Sequence, residues 1–176
     1  MFQAGFDASW EIDIWGGTRR SVEAATADLQ ASEENLRNVL VSLLAEVGVN
    51  YIELRGAQRR LAIAEDNIGL QKRTLEMVQG RLIAGFVSEV DVAQAQAQYR
   101  TTQSQVPLLE SMIRQYIHQL SVLVGEPPGA LMEELRQSKP LPVPPPEVPM
   151  GLPSDLLRRR PDIREAERTL AADTAR

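Results

Sequence analysis

His118 is the sole histidine of the chain, and so the first residue to weigh for chemistry. It stands between Ile117 and Gln119 in a helical pattern, with no second metal ligand at a helical spacing. A structural or solvent-facing imidazole is the simpler reading. No glycine-rich phosphate loop, nucleophile elbow or HExxH pattern occurs. The carboxylate pairs Glu33-Glu34 and Glu65-Asp66 read as solvated helix faces. Arg158-Arg159-Arg160 has the charge to hold an anion, yet a surface helix turn explains it with less. The residues thus offer no catalytic set, no cofactor site and no metal site. What remains is Arg81-Leu-Ile-Ala-Gly-Phe-Val-Ser-Glu-Val-Asp91, a short break between two long helical patterns. It is either only a turn or the working end of the molecule.

The elements around that break follow from periodicity. No proline occurs from Thr18 to Ala84. Val22, Leu29, Leu36 and Leu43 are spaced by seven, as are Leu54, Leu61, Ile68, Leu75 and Leu82. The step from Leu43 to Leu54 inserts four extra residues, which locally unwinds a left-handed supercoil. The spacing predicts one helix over 18–84, about 100 Å long at 1.5 Å per residue. Gly85 suits the left-handed residue past a helix end, and Ser88 with Asp91 has capping-box spacing. A second helix is expected over 89–124, about 54 Å long. Val92, Tyr99, Val106, Ile113 and Leu120 form one of its apolar rows; Ala95, Thr102, Leu109, Tyr116 and Leu123 form the other. Pro107 lies inside it and should kink it. At half length it covers only the part of the first helix nearest the turn. The stretch of about Ser21–Val49 needs partners from elsewhere.

Before the first helix, Phe6, Ala8, Trp10, Ile12 and Ile14 alternate with Asp7, Ser9, Glu11 and Asp13. Period two predicts a strand over 6–15. With large rings on one face and carboxylates on the other, it suits a soluble sheet or a barrel strand between lipid and a watery lumen. Gly16-Gly17 ends it, and Thr18 is the expected helix cap. Arg19 and Arg20 then occupy a first turn where the helix dipole disfavours cations. Beyond the second helix, 130–136 make a short helix at best, and 140–153 are a proline-rich linker. Ser154 opens a short helix and Pro161 starts another. The first residues already read as an element and the last stop within a helix, the pattern of a piece of a longer protein.

Composition sets outer bounds. Aromatic residues make up 5% of 176 residues, which favours long helices joined by narrow seams over a large globular core. A net charge of −5 argues against nucleic-acid binding. There is no cysteine, hence no disulfide or thiolate site. No run of about eighteen apolar residues occurs, and no signal peptide is visible.

The order of these features resembles a known family. The residues that carry the likeness are Phe6–Gly16, the turn Arg81–Asp91 with Ala93-Gln-Ala-Gln, Leu123-Val-Gly-Glu-Pro-Pro128, and Gly151-Leu-Pro-Ser-Asp-Leu-Leu-Arg-Arg-Arg-Pro-Asp-Ile-Arg164. Together they are similar to the outer-membrane factors, the TolC-like exit ducts of tripartite efflux pumps, and to their OprM/NodT-like branch. The resemblance implies a mainly α fold: a long antiparallel helical hairpin, or coiled coil, from a TolC-like α-barrel, preceded by one β-barrel strand. It implies that 1–16 end a barrel strand, 17–126 form a periplasmic hairpin with its tip at 85–88, 127–153 are an equatorial linker, and 154–176 open a second structural repeat. The full protein would be a homotrimer in the outer membrane of a Gram-negative bacterium. It would export drugs or other small molecules without acting as an enzyme or using a cofactor. Its partners would be a periplasmic adaptor (membrane fusion) protein and an inner-membrane RND transporter. Carried over by position, the adaptor contacts would be Arg81, Leu82, Gly85, Ser88 and Asp91. Capping alone also explains Gly85, Ser88 and Asp91, so Arg81 and Leu82 bear more of the functional expectation. The alternative is a soluble coiled-coil scaffold or adaptor hairpin without a barrel.

Overall fold

The computed structural model describes residues 2, 4–7, 12–144 and 153–176. Among the described residues five helices follow in order: α1 Gly17–Ile83, α2 Glu89–Leu123, α3 Met132–Leu135, α4 Pro153–Arg159 and α5 Pro161–Ala175. The expected ends of α1 and α2 therefore hold to within one residue. Residues 8–11 of the expected strand lie outside the described residues, and so do 145–152 of the linker. The described flanks of the strand segment, Phe6-Asp7 and Ile12–Trp15, carry no strand. The chain divides into two compact units, residues 43–145 and residues 1–42 with 146–176.

Within residues 43–145, α1 and α2 are antiparallel partners. Leu54 of α1, Ile117 and Leu120 of α2 and Leu135 of α3 form the buried core. Val47, Tyr51, Ile113, Tyr116, Leu131 and Met132 pack around it. Both apolar rows expected on α2 are buried or half-buried along their whole length, as are Leu54, Leu61, Ile68, Leu75 and Leu82 of α1. Seven-residue spacing thus selects the faces that meet. Small residues bring the helices close: Ala57 is fully buried, and Ala64 and Thr102 nearly so. Pro107 lacks the N–H that would bond the carbonyl of Gln103, yet α2 runs through it unbroken. After α2, Gly125 (φ +81) and Gly129 (φ +93) take left-handed conformations and turn the chain towards α3.

A polar latch holds the end of α3. Gln58 Nε2 donates to the carbonyls of Leu135 at 2.7 Å and Arg136 at 3.3 Å. Arg55 NH1 donates to Gln137 O at 2.7 Å and to Gln58 Oε1 at 2.7 Å. The Arg55 guanidinium lies over the Tyr51 ring, 4.9 Å from its centre. These bonds answer carbonyls that a short helix leaves unpaired at its C-terminus.

In the other unit, α5 lies against the first part of α1. Arg164 NH2 reaches Glu34 Oε1 at 2.7 Å, Arg168 NH1 donates to Gln30 Oε1 at 3.4 Å, and Arg176 NH2 meets Asp28 Oδ2 at 2.6 Å. The numbers fall on one helix as they rise on the other, so the pair is antiparallel. Ala24, Ala27, Ala172 and Ala175 are buried along the same line. Alanine seams permit close helix approach with little area, and the ion pairs set the register. Part of the partner needed by Ser21–Val49 is therefore α5. The expected row Val22, Leu29 and Leu36 is not part of this contact: those residues are 61%, 62% and 61% exposed.

The start of α1 differs from expectation. Gly16 (φ +76), not Thr18, precedes the first helical residue, and its carbonyl accepts the Arg20 N–H at 2.9 Å. Asp13 supplies the cap: its Oδ2 accepts the Arg19 backbone N–H at 3.1 Å. The same carboxylate oxygen lies 3.9 Å from Arg19 Nε, and Arg20 pairs with Glu23 at 2.9 Å. Two carboxylates thus compensate the cations of the first turn.

Candidate functional site: the hairpin tip

The tip is built by two caps placed back to back. At the end of α1, the Phe86 N–H donates to Arg81 O at 2.9 Å and the Gly85 N–H to Leu82 O at 2.9 Å. This nested pair is a Schellman motif. It needs a left-handed residue, which Gly85 supplies at φ +76. At the start of α2, Ser88 is the N-cap with extended backbone. Asp91 Oδ2 accepts the Ser88 N–H at 2.8 Å and the Ser88 hydroxyl at 2.8 Å. Asp therefore serves at a position where Glu is commoner. The Ser88 backbone N–H, and after it the Ser88 hydroxyl, hold the Asp91 carboxyl below its ordinary range.

The five residues expected at this tip divide by task. Gly85, Ser88 and Asp91 are spent on caps. Arg81 and Leu82 give only their carbonyls to the cap. The Arg81 side chain is exposed, and Leu82 is half-buried against the hairpin. Three exposed apolar residues were missed by sequence reasoning: Ile83 at 89%, Phe86 at 81% and Val90 at 72%. The signal was present, since each stands off the seven-residue rows. An apolar side chain left outside both seams has no place in the core. With the exposed Arg81 they leave apolar side chains and a cation open to solvent at the tip.

His118 Nδ1 is buried without a hydrogen-bond partner among the described residues, and the ring rests against Gly129. Among the described residues no three His, Cys, Asp or Glu side chains gather to hold a metal. Arg160 is committed to a two-pronged pair with Asp162, at 3.1 and 2.6 Å. That pair raises the Arg160 pKa and lowers that of Asp162. Arg158 and Arg159 end α4 as exposed cations.

Comparison with known proteins agrees with this architecture. The sequence model of the family described as outer membrane efflux protein matches residues 1–126. The chain belongs to the outer membrane efflux protein family. Among its curated relatives, the pyoverdine export outer membrane protein OpmQ of Pseudomonas aeruginosa is 37% identical over 174 residues, covering 99% of this chain and 36% of the relative. Nodulation protein T of Rhizobium leguminosarum bv. trifolii is 33% identical over 167 residues, covering 95% of this chain and 36% of the relative. The solved outer-membrane channel OprN superposes with a TM-score of 0.88 at 40% identity, over 94% of this chain and 37% of that one. The chain thus spans about 36% of the length of these curated relatives.

Family membership and the likeness to a segment of a solved outer-membrane channel count against the soluble-scaffold reading. Among the described residues no helix is long and apolar enough to cross a membrane. The mainly helical fold of the described residues is the hairpin portion of such channels.

Proposed function

We propose that the chain is the periplasmic tunnel portion of an outer-membrane efflux duct in a tripartite RND-type pump. Residues 1–16 end a barrel strand, 17–126 form the periplasmic hairpin, 127–153 cross the equator, and 154–176 open a second repeat. Three copies of the full protein make the tunnel wall. The tip docks the periplasmic adaptor, the inner-membrane transporter supplies energy, and the duct performs no reaction. The relatives' names include export of pyoverdine in one case and of toluene in another. Cargo so different in polarity suits a conduit for small molecules whose selectivity lies in the transporter.

One observation carries this reading. The tip satisfies its own backbone through two caps and still presents Arg81, Ile83, Phe86 and Val90 to solvent. Folding of the hairpin explains the first fact and leaves the second without a reason. In the full-length protein, Phe86→Ala should weaken adaptor docking by about 2 kcal/mol, roughly thirtyfold in Kd, as for an aromatic anchor. Arg81→Ala should act in the same direction. Trimer yield in the outer membrane should not change, because neither side chain serves a cap. Gly85→Val should also lower efflux, through strain at φ +76. Wild-type drug resistance and wild-type adaptor affinity in both alanine variants would refute docking at the tip.

A further inference from the structure

The latch at α3 leaves one buried charge unanswered. Arg55 is 2% exposed. Its NH1 is spent on Gln58 Oε1 and Gln137 O, while its Nε is buried with no hydrogen-bond partner among the described residues. A carbonyl, an amide and a ring face offer only partial charges. Beside it, Arg55, Arg59, Ser138, Lys139, Pro140 and Leu141 line a cavity of about 380 Å³, wholly within residues 43–145. Arg59 and Lys139 are exposed at its rim. Among the described residues none of these three cations meets a carboxylate; eight other cations also lack one, but all of those are exposed, whereas Arg55 is buried. The chain holds 24 acidic against 19 basic residues, so the lack of a partner at three neighbouring cations is not a shortage of carboxylates.

Burying a guanidinium without a counter-charge is unfavourable, and two further cations around the same cavity add repulsion. An anion in the cavity would relieve both. Guanidinium nitrogens match paired oxygens, an ammonium adds a point charge, and the Ser138 hydroxyl can donate as well. We propose that Arg55, Arg59 and Lys139 form a binding site for one oxyanion group, a carboxylate or a phosphate. That group comes either from a free ion or from an acidic side chain of a second copy of this chain. The site is some thirty residues along α1 from the tip, about 45 Å at helical rise, so it is separate from adaptor docking.

The test follows the Arg55 Nε–H resonance as inorganic phosphate is added to the 176-residue chain at constant ionic strength. Sedimentation is measured in parallel. Wild type should show a saturable shift. The double variant R59Q/K139Q alters exposed side chains only and should keep the circular dichroism of the parent. Its midpoint should rise at least tenfold. If a second copy's carboxylate fills the site, phosphate will dissociate wild-type oligomers and the double variant will associate less. If a free ion fills it, association will not respond. The proposal is overturned if the resonance fails to saturate and association ignores phosphate, or if both proteins respond alike.

Discussion

Asp91 links the tip to pH. Its folded-state pKa lies below the ordinary value because the carboxylate accepts both Ser88 donors. A depressed folded pKa contributes stability above the unfolded value, near about 3.9, and loses it as pH falls through the folded value. The start of α2 should therefore fray on acidification below about pH 4. Amide exchange at Ser88 should speed up there in wild type, and should be fast and insensitive to pH in this range, after correction for intrinsic exchange, in Asp91→Ala. Unchanged protection in the variant would mean that the box does not hold the helix start. This cap was legible in the sequence because it is local: four residues contain the whole device. The cap of α1 was not, because Asp13 reaches across Gly16 to Arg19, and no short motif flags a donor six residues away.

At the scale of elements, the seam of α1 with α2 rests on Ile117, fully buried beside Leu54 and Leu120. Ile117→Ala should cost about 2–5 kcal/mol, the range for deleting a buried aliphatic side chain. Ile113→Ala, half-buried, should cost less. Urea denaturation compares the two, and equal losses would argue that the core is not centred where burial places it. Heptad spacing disclosed this seam because both helices repeat it over many turns. The pairing of α1 with α5 stayed hidden. Ala24 and Ala27 carry too little apolar area to stand out beside Val22 and Leu29, and the choice is made by Glu34 and Arg164, 130 residues apart. The latch gave a fainter sign: Arg55 and Gln58 interrupt an otherwise apolar face, and polar residues there need partners that only α3 supplies.

At the scale of the molecule, much apolar surface has no cover among the described residues. Val22, Leu29, Leu36, Val39 and Leu44 of α1 are all exposed. They occupy positions that a wall of neighbouring helices would bury. The 176-residue chain alone should therefore be strongly helical by circular dichroism and associate through mixed, concentration-dependent contacts. Sedimentation velocity should show a broad distribution that shifts with loading. A single sharp trimer at every concentration would mean that this segment forms the proposed trimer by itself. Fold class, hairpin and the caps at the turn were readable because each follows a local rule. Partners of the exposed face were not, since a periodic row states that something must cover it and does not state what.

The two caps also decide where this protein is free to vary. Gly85, Ser88 and Asp91 are fixed by backbone geometry, and Leu82 by its place in the seam. Arg81 enters the cap through its carbonyl, which any residue provides. Positions 81, 83, 86 and 90 can change without cost to the turn. If the tip docks a partner as proposed, a lineage could re-address it through those four side chains while inheriting the same bend. Among related ducts, divergence should gather at these four positions, and the bend itself should drift least.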